Sequence, residues 1–166
     1  MELRALTSAD LTALLDLQGQ CYPAALNESA AVMGKRLEGF ASTCWGAFSG
    51  QHMQAYLLTY PSLLGKISAL GADFSSCVKP DALYLHDMAV SSASRGAGLA
   101  AKLLLQAELY ARHHQLSYLT LVAVQGAEGY WQKQGFVAAA SLTATQQRQL
   151  ASYLPETAFY THKAIQ

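Results

Sequence analysis

Apolar residues are concentrated in short segments, most of which alternate with polar residues as a half-buried strand does. The predicted strands cover residues 2–6, 43–48, 53–60, 83–90, 118–124, 136–142 and 158–165. The turn Ser49-Gly50-Gln51-His52 joins the second and third of them as a hairpin. The segment 83–90 is mostly apolar on both faces, so we expect it inside a sheet that is covered on both sides.

Apolar residues three and four positions apart predict helices between these strands. The predicted helices cover residues 8–20, 27–40, 99–113, 125–134 and part of 143–155. Asn27 is the predicted N-cap of the second helix, with Glu28 in its first turn, and Gly135 is the predicted C-cap of the fourth. Residues 61–80 have no clear period but are too apolar for a disordered linker, so we predict a partly helical lid or wall over a binding site.

A strand, a glycine loop and a helix follow one another over residues 83–111, and this stretch organises the chain. The N–H groups at a helix N-terminus are unpaired and carry a partial positive charge. Gly96 and Gly98 permit close approach of a phosphate, and Arg95 adds a full charge, although the glycines alone would also serve a plain turn. We therefore expect an anion site here.

Two known phosphate-binding motifs, the dinucleotide fingerprint and the P-loop, match residues 95–101 poorly. Gly96-x-Gly98-x-x-Ala101 formally matches the dinucleotide fingerprint, but the next strand, 118–124, carries no acidic residue to hold a ribose. The P-loop is excluded because no Gly-Lys-Ser/Thr follows. A dinucleotide site is therefore disfavoured.

Arg95-Gly96-Ala97-Gly98-Leu99-Ala100 resembles the R/Q-x-x-G-x-G/A signature of the GCN5-related N-acetyltransferases (GNAT). Met88-Ala89-Val90 resembles the end of that family's fourth strand, and the segment 130–136, YWQKQGF, resembles its F-Y-x-x-x-G-F segment. The resemblance implies an α/β (α+β) fold in a single domain over residues 1–166. Its central sheet would be mixed and mostly antiparallel, with six to seven strands flanked by helices and splayed between strands 4 and 5.

The resemblance also implies acetyl-CoA as cofactor, its pyrophosphate on the loop and its pantetheine arm between strands 4 and 5. The implied cofactor-binding residues are Met88, Ala89, Val90, Arg95, Gly96, Ala97, Gly98, Leu99, Ala100 and Trp131. The first two helices and their loop would wall the acceptor site. The expected substrate-binding residues are Tyr22, Pro23, Leu26, Tyr60 and Asp87, although a loop aromatic is also commonly a packing residue.

His86 is the candidate base, because imidazole removes protons at neutral pH, and its alternative is a hydrogen-bonded core histidine. Asp87 points to the opposite face by strand alternation, unless a bulge breaks that alternation. The family's proton-donating tyrosine position holds Trp131, whose N–H is not a useful acid. Tyr130, one position earlier, is the remaining candidate acid.

The resemblance therefore implies an N-acetyltransferase that transfers acetyl to a primary amine of a small molecule by direct attack. Trp131 keeps two alternatives open: an acyl-CoA-binding or regulatory module with little or no catalysis, and acetylation of a protein N-terminus or lysine. The walls that the resemblance implies for the acceptor site, residues 22–26 and 60–74, are apolar and aromatic with few carboxylates. This composition favours an aromatic or aliphatic amine over a polycation.

The charge balance and the cysteine content limit the binding partners and the cellular compartment that we expect for this chain. The 11 basic and 11 acidic residues balance without a basic run, so no nucleic-acid partner is expected. The low charged fraction, 13%, fits a monomer with an apolar cleft or a homodimer. Three isolated cysteines predict reduced thiols in a cytoplasm and no metal site, and neither a signal peptide nor a membrane-length apolar run is seen.

Overall fold

The computed structural model describes residues 1–165. Its seven strands are β1 (Glu2–Ala5), β2 (Trp45–Ser49), β3 (His52–Ser62), β4 (Ala82–Val90), β5 (Tyr118–Ala123), β6 (Val137–Ala138) and β7 (Phe159–Ala164). Its α-helices are α1 (Leu11–Cys21), α2 (Ala30–Phe40), α3 (Leu99–His113), α4 (Glu128–Lys133) and α5 (Ala144–Leu150). The 3₁₀ turn Ser8–Asp10 leads into α1. None of the helices in residues 1–165 is long and apolar enough to cross a membrane.

The strands form one sheet in the order β1-β2-β3-β4-β5-β7-β6. The pair β4 and β5 is parallel, and the other neighbours are antiparallel. This arrangement confirms the predicted mixed, mostly antiparallel sheet of the GNAT fold.

Helices cover both faces of the sheet and produce two cores. The apolar stripe of α3 packs on one face through Leu99, Leu103, Leu104, Ala107 and Ala111. Helices α1 and α2 pack on the other face through Leu14, Leu17, Met33 and Leu37. A helical face that recurs every three or four residues explains why the sequence predicted α3 so well.

Strand β4 contains a bulge at His86. Leu58 of β3 pairs with Asp87, whereas the next residue, Thr59, pairs with Leu85, so His86 is the extra residue. Leu85 therefore belongs to the α3 core while Ala89 belongs to the α1–α2 core. The expectation that Asp87 lies opposite His86 is wrong, because the bulge shifts the alternation and turns both side chains toward the α1–α2 face.

Strands β4 and β5 separate after four paired residues. The pairing runs from Ala82 with Tyr118 to Leu85 with Leu121 and then stops, although β4 continues to Val90. The predicted splay is thus confirmed, and it begins at the bulge.

Three local predictions are wrong. Helix α2 begins at Ala30 and is capped by Ser29, whose Oγ accepts from the Val32 N–H at 3.3 Å, so Asn27 is not the cap and Glu28 lies before the helix. Residues 63–81 contain turns but no helix. The strand predicted over 136–142 shrinks to two residues, because the segment pairs with β7 only there.

The α3 core provides a stability test. Leu103 is fully buried, so Leu103→Ala removes packed methyl groups and should lower the free energy of unfolding by about 2–5 kcal/mol. Leu105→Ala is the control, because Leu105 is 48% exposed on the same helix and should change stability much less. Urea denaturation measures both. Equal losses would contradict the assignment of the buried face.

Candidate functional site

A cleft of about 330 Å³ opens where β4 and β5 separate. Its walls come from β4, β5, α4, the start of α3 and the loop after α1. The lining residues are Cys21, Tyr22, Leu26, Glu28, Leu70, Leu85, His86, Asp87, Met88, Ala89, Val90, Arg95, Ala100, Leu121, Val122, Val124, Gln125, Ala127, Tyr130, Trp131 and Tyr153.

The cleft edge of β4 presents backbone N–H groups. The Ser91 N–H donates to the Gln54 carbonyl at 2.8 Å, so odd-numbered residues at this end of the strand face β3. Backbone polar groups alternate sides along a strand, so those of Met88 and Val90 face the gap. Their carbonyls accept from the Tyr22 hydroxyl at 2.8 Å and the Cys21 thiol at 3.4 Å. The N–H groups of Met88 and Val90 are thereby left directed at the cleft.

The N-terminus of α3 continues this row of donors. Gly98 is the N-cap residue with φ of 73°, Gly96 has φ of 82°, and no side chain in residues 1–165 caps the helix. Both angles lie in the left-handed region that favours glycine. A Cβ at either glycine would meet no atom within 4 Å, so space exists over the loop. Arg95 lines the cleft beside it.

The Ser91 and Ser94 hydroxyls hold the loop in place. Both donate to Gln54 Oε1 on β3, at 3.1 and 2.7 Å. The serines therefore attach the loop to the sheet, and the helix N–H groups stay free of a serine cap.

Glu28 is the centre of a buried ion cluster at the opposite end of the cleft. Its carboxylate oxygens accept from the two Arg36 terminal nitrogens at 2.5 and 2.6 Å, and the Gly71 N–H donates at 2.6 Å. His86 Nε2 lies 3.0 Å from Glu28 Oε1. Burial opposes ionisation of Glu28, but the hydrogen bonds from His86 and Arg36 outweigh it and hold the Glu28 pKa well below its usual range.

The His86 ring is enclosed by its neighbours. Its side chain is 1% exposed, and the Phe74 ring contacts it edge-on with centroids 5.3 Å apart. The other ring nitrogen, Nδ1, is buried and has no hydrogen-bond partner in residues 1–165. His86 therefore borders the cleft with one nitrogen engaged and the other unpaired.

Asp87 forms a second polar group beside His86. Its Oδ2 accepts from the Tyr56 hydroxyl at 2.6 Å. Burial raises the Asp87 pKa, and the hydrogen bond from Tyr56 opposes that rise only in part. The cleft floor thus holds a carboxyl that resists ionisation.

The segment 63–81 closes the Glu28 end of the cleft as a wall of turns. Gly71 and Ala72 are bound by the Glu28–Arg36 pair, through bonds of 2.6 and 2.8 Å. On the other side the Tyr153 hydroxyl donates to the Ser68 carbonyl at 2.8 Å, and the Leu70 N–H donates to Ser152 at 2.9 Å. Leu70 and Tyr153 border the cleft as a result.

Most of the predicted site residues lie together at this cleft. The expected residues that line it are Tyr22, Leu26, His86, Asp87, Met88, Ala89, Val90, Arg95, Ala100, Tyr130 and Trp131. Gly96, Ala97 and Gly98 lie in the loop beside it, and Leu99, the first residue of α3, is buried in the α3 core. Pro23 does not line the cleft, and Tyr60 stacks on Phe74 at 4.2 Å as a packing residue.

Tyr130 and Trp131 differ in their surroundings. Trp131 packs on Phe136 in the core with one edge at the cleft, whereas Tyr130 is 37% exposed. Burial raises the Tyr130 pKa. The cleft therefore has a phenol at its rim, although Trp131 occupies the inner position.

Glu28 and Tyr153 were not predicted as parts of the site, whereas Leu70 lies in the segment 61–80 that was predicted as a lid or wall. The acidic residue before a helix looks like an ordinary first-turn residue, and its buried Arg36 partner lies eight positions further on. Leu70 and Tyr153 meet only through tertiary contacts. The one signal in the sequence is that Glu28 and Arg36 are charged residues in a chain with few charges.

A family model described as the acetyltransferase (GNAT) family matches residues 11–136. The chain belongs to this family. The match includes β4, the glycine loop and α3, and no curated protein matches the sequence.

Solved GNAT structures share the fold over nearly the full chain. The GphF GNAT-like decarboxylase in complex with isobutyryl-CoA has a TM-score of 0.80 at 15% identity, with 100% of each chain covered. The loading GNATL domain of CurA from Lyngbya majuscula has a TM-score of 0.77 at 12% identity, covering 99% of this chain and 97% of that one. The ribosomal-protein-S18-alanine N-acetyltransferase from Escherichia coli has a TM-score of 0.65 at 16% identity, covering 99% and 93%. At these identities the likeness shows the fold.

The Asp87–Tyr56 bond gives a pH-dependent prediction. Tyr56→Phe removes the donor to a buried carboxyl and should destabilise the GNAT domain by about 1–3 kcal/mol. The bond favours the ionised form, so its loss raises the Asp87 pKa further. The destabilisation should therefore grow as the pH rises from about 5 to about 8.

Urea denaturation at both pH values measures this difference. Tyr130→Phe is the control, since Tyr130 is partly exposed. A Tyr56→Phe loss that shrinks with rising pH would contradict the described role of the hydrogen bond.

Proposed function

We propose that this GNAT protein transfers an acetyl group from acetyl-CoA to a primary amine of a small molecule. The observation that carries the proposal is the continuous row of backbone donors from Met88 and Val90 to the uncapped N-terminus of α3. An extended pantetheine arm needs such an edge, and a pyrophosphate needs such a helix terminus. Arg95 adds a charge for the phosphates.

The reaction follows from the groups at the two ends of the cleft. The amine nitrogen attacks the thioester carbon, a C–N bond forms, and the C–S bond breaks to release the CoA thiolate. A β4 N–H, from Met88 or Val90, stabilises the oxyanion that develops on the thioester oxygen. His86 accepts a proton from the amine, and the products are an N-acetylamine and CoA.

Of the steps in this reaction, release of the CoA thiolate needs the least help from protein side chains. The Trp131 indole N–H can act only as a hydrogen-bond donor and does not release its proton, and Tyr130 at the rim is the proposed acid. A thiol with a pKa of about 8–9 is a fair leaving group even without an acid. Acetyl transfer therefore remains feasible with the wild-type tryptophan.

The wall at 63–81 supports a small acceptor. Hydrogen bonds join it to Glu28 and Arg36 on one side and to Ser152 and Tyr153 on the other, so it spans the acceptor end. A protein N-terminus or lysine would need an open groove at that end. Apolar side chains, among them Leu26 and Leu70, favour an amine with an apolar body.

Decarboxylation of a carboxyacyl-CoA is a second candidate function. GphF is described as a GNAT-like decarboxylase, and the observation in this chain that favours the reaction is Trp131. Breaking the C–C bond to CO₂ leaves the thioester intact, so no acid for a thiolate is required. The β4 N–H groups would stabilise the enolate, and one proton is taken up at its carbon.

The donor site is tested by calorimetric titration of acetyl-CoA. Gly98→Glu places a side chain and a negative charge at the pyrophosphate position, and with Arg95→Ala it should lower the affinity at least about tenfold. Gly50→Glu is the matched control, because Gly50 also has a positive φ, of 59°, with nothing within 4 Å, but lies in the β2–β3 hairpin. Equal affinities for all three proteins would contradict the site.

The reaction is tested by two assays on the wild-type protein. Free CoA is measured with acetyl-CoA and a library of small amines, and CO₂ with malonyl-CoA. Acetyl transfer predicts CoA release that depends on an amine, and decarboxylation predicts CO₂ with no CoA released. Tight acetyl-CoA binding without either product would favour the binding-module alternative.

His86 is tested in the same acetyltransfer assay. His86→Ala should lower kcat by about 100-fold or more, the usual contribution of a positioned base, with acetyl-CoA affinity unchanged. His52→Ala in the exposed hairpin is the control and should retain wild-type kcat. An unchanged kcat in His86→Ala would remove His86 from the mechanism.

A further inference from the structure

We propose that Glu28 is a positioning residue that holds the His86 ring proton on Nε2 and leaves Nδ1 as the basic nitrogen. The inference rests on the proposed function in that it takes His86 as the base. It adds a residue that the sequence pattern placed in an ordinary helix turn.

The Glu28 carboxylate has a full set of donors. Oε1 accepts from Arg36 Nη1 and faces His86 Nε2 at 3.0 Å, while Oε2 accepts from Arg36 Nη2 and the Gly71 N–H. An ionised carboxylate only accepts hydrogen bonds, and guanidinium only donates them. The contact between Oε1 and Nε2 is therefore a hydrogen bond only when Nε2 carries the proton.

Glu28 stays ionised and fixed in place. Burial raises its pKa, but the hydrogen bonds from His86 and Arg36 outweigh burial and keep the pKa low. Gln18, itself buried, holds the Glu28 backbone on both sides: its Oε1 accepts from the Glu28 N–H and its Nε2 donates to the Glu28 carbonyl, both at 3.0 Å. Arg36 lies over the Phe74 ring at 4.5 Å, and Phe74 contacts the His86 ring. The carboxylate can thus set the state of the ring.

The proton on Nε2 determines the chemistry of Nδ1. A neutral imidazole has one protonated nitrogen and one lone-pair nitrogen. With Nε2 protonated, the buried and unpaired Nδ1 carries the lone pair next to the cleft. Because Nδ1 is not exposed in this structure, a substrate amine or a bridging water reaches it only when the cleft wall around His86 shifts as substrate binds. Glu28 acts only through His86 and is not in itself a catalytic residue.

Glu28→Gln inverts this arrangement while keeping the side-chain shape. If the new NH₂ took the Oε2 position, it would face the Arg36 and Gly71 N–H groups, which can only donate hydrogen bonds. Placed at Oε1, it opposes one Arg36 donor and meets His86, which can become the acceptor. The amide should therefore donate to Nε2 and move the ring proton to Nδ1.

The test combines ¹⁵N NMR of the histidine rings with kinetics. In wild type at neutral pH we expect the Nε2–H tautomer of His86, and in Glu28→Gln the Nδ1–H tautomer. The kcat of the variant should fall about 100-fold, as expected for loss of a base, with the calorimetric affinity for acetyl-CoA unchanged. Glu28→Gln with Arg36→Met removes the uncompensated buried charge and serves if the single variant does not fold.

Asp10→Asn is the matched control. Asp10 also forms a two-bond pair with an arginine, Arg4, at 2.7 and 2.9 Å, but at the start of α1 away from the cleft. The kcat and the His86 tautomer of the Asp10→Asn variant should stay as in wild type, even if the variant is less stable.

The outcomes separate this inference from the proposed function. An Nδ1–H or doubly protonated ring in wild type, a retained Nε2–H tautomer in Glu28→Gln, or an unchanged kcat would overturn the role of Glu28. The two tautomers as predicted, without turnover of any amine by wild type, would support that role and overturn the proposed acetyl transfer. The spectra do not depend on the acceptor chosen.

Discussion

Strand β4 is paired with β3 along its length except at the bulge residue His86, and with β5 over only four residues. The polar backbone groups of a buried strand edge need partners, so a gap in the middle of a sheet leaves groups that a side chain, water or a ligand must satisfy. Tyr22 and Cys21 satisfy the carbonyls of Met88 and Val90, and only N–H donors remain for a ligand. The cleft, its extended shape and its preference for acceptor groups follow from this asymmetry.

The bulge at His86 marks the point where the pairing ends, and it joins the two halves of the site. By adding one residue it turns His86 and Asp87 toward the same core, where they meet Glu28 and Tyr56. Two neighbouring carboxyl groups then have pKa values shifted in opposite directions. Glu28 is held ionised by an arginine, whereas burial keeps Asp87 closer to its neutral form. Local partners, and not residue type, decide these states.

Much of the fold was predictable because its signals are local. The period of α3, the positive-φ glycines and the hairpin at Gly50 each follow from a few neighbouring residues. The family resemblance left a bulge in this strand open, but its position at His86 was not predictable, because a strand of mostly apolar residues carries no sign of the extra one. The Glu28–Arg36–His86 cluster was also missed, since it joins residues up to 58 positions apart by tertiary contacts. Residues 63–81 looked partly helical through their apolar content, but hydrogen bonds to other segments fix them as turns.

Backbone ¹⁵N NMR during titration with acetyl-CoA tests the central claim most directly, namely that the open edge of β4 and the start of α3 form one donor-binding surface. The amides of Met88, Val90 and residues 96–100 should shift together and saturate at one ligand concentration, while Gly50 stays unchanged. Shifts at the loop without any at Met88 and Val90 would contradict the account, because the ligand would then bind the helix terminus without entering the gap between the strands.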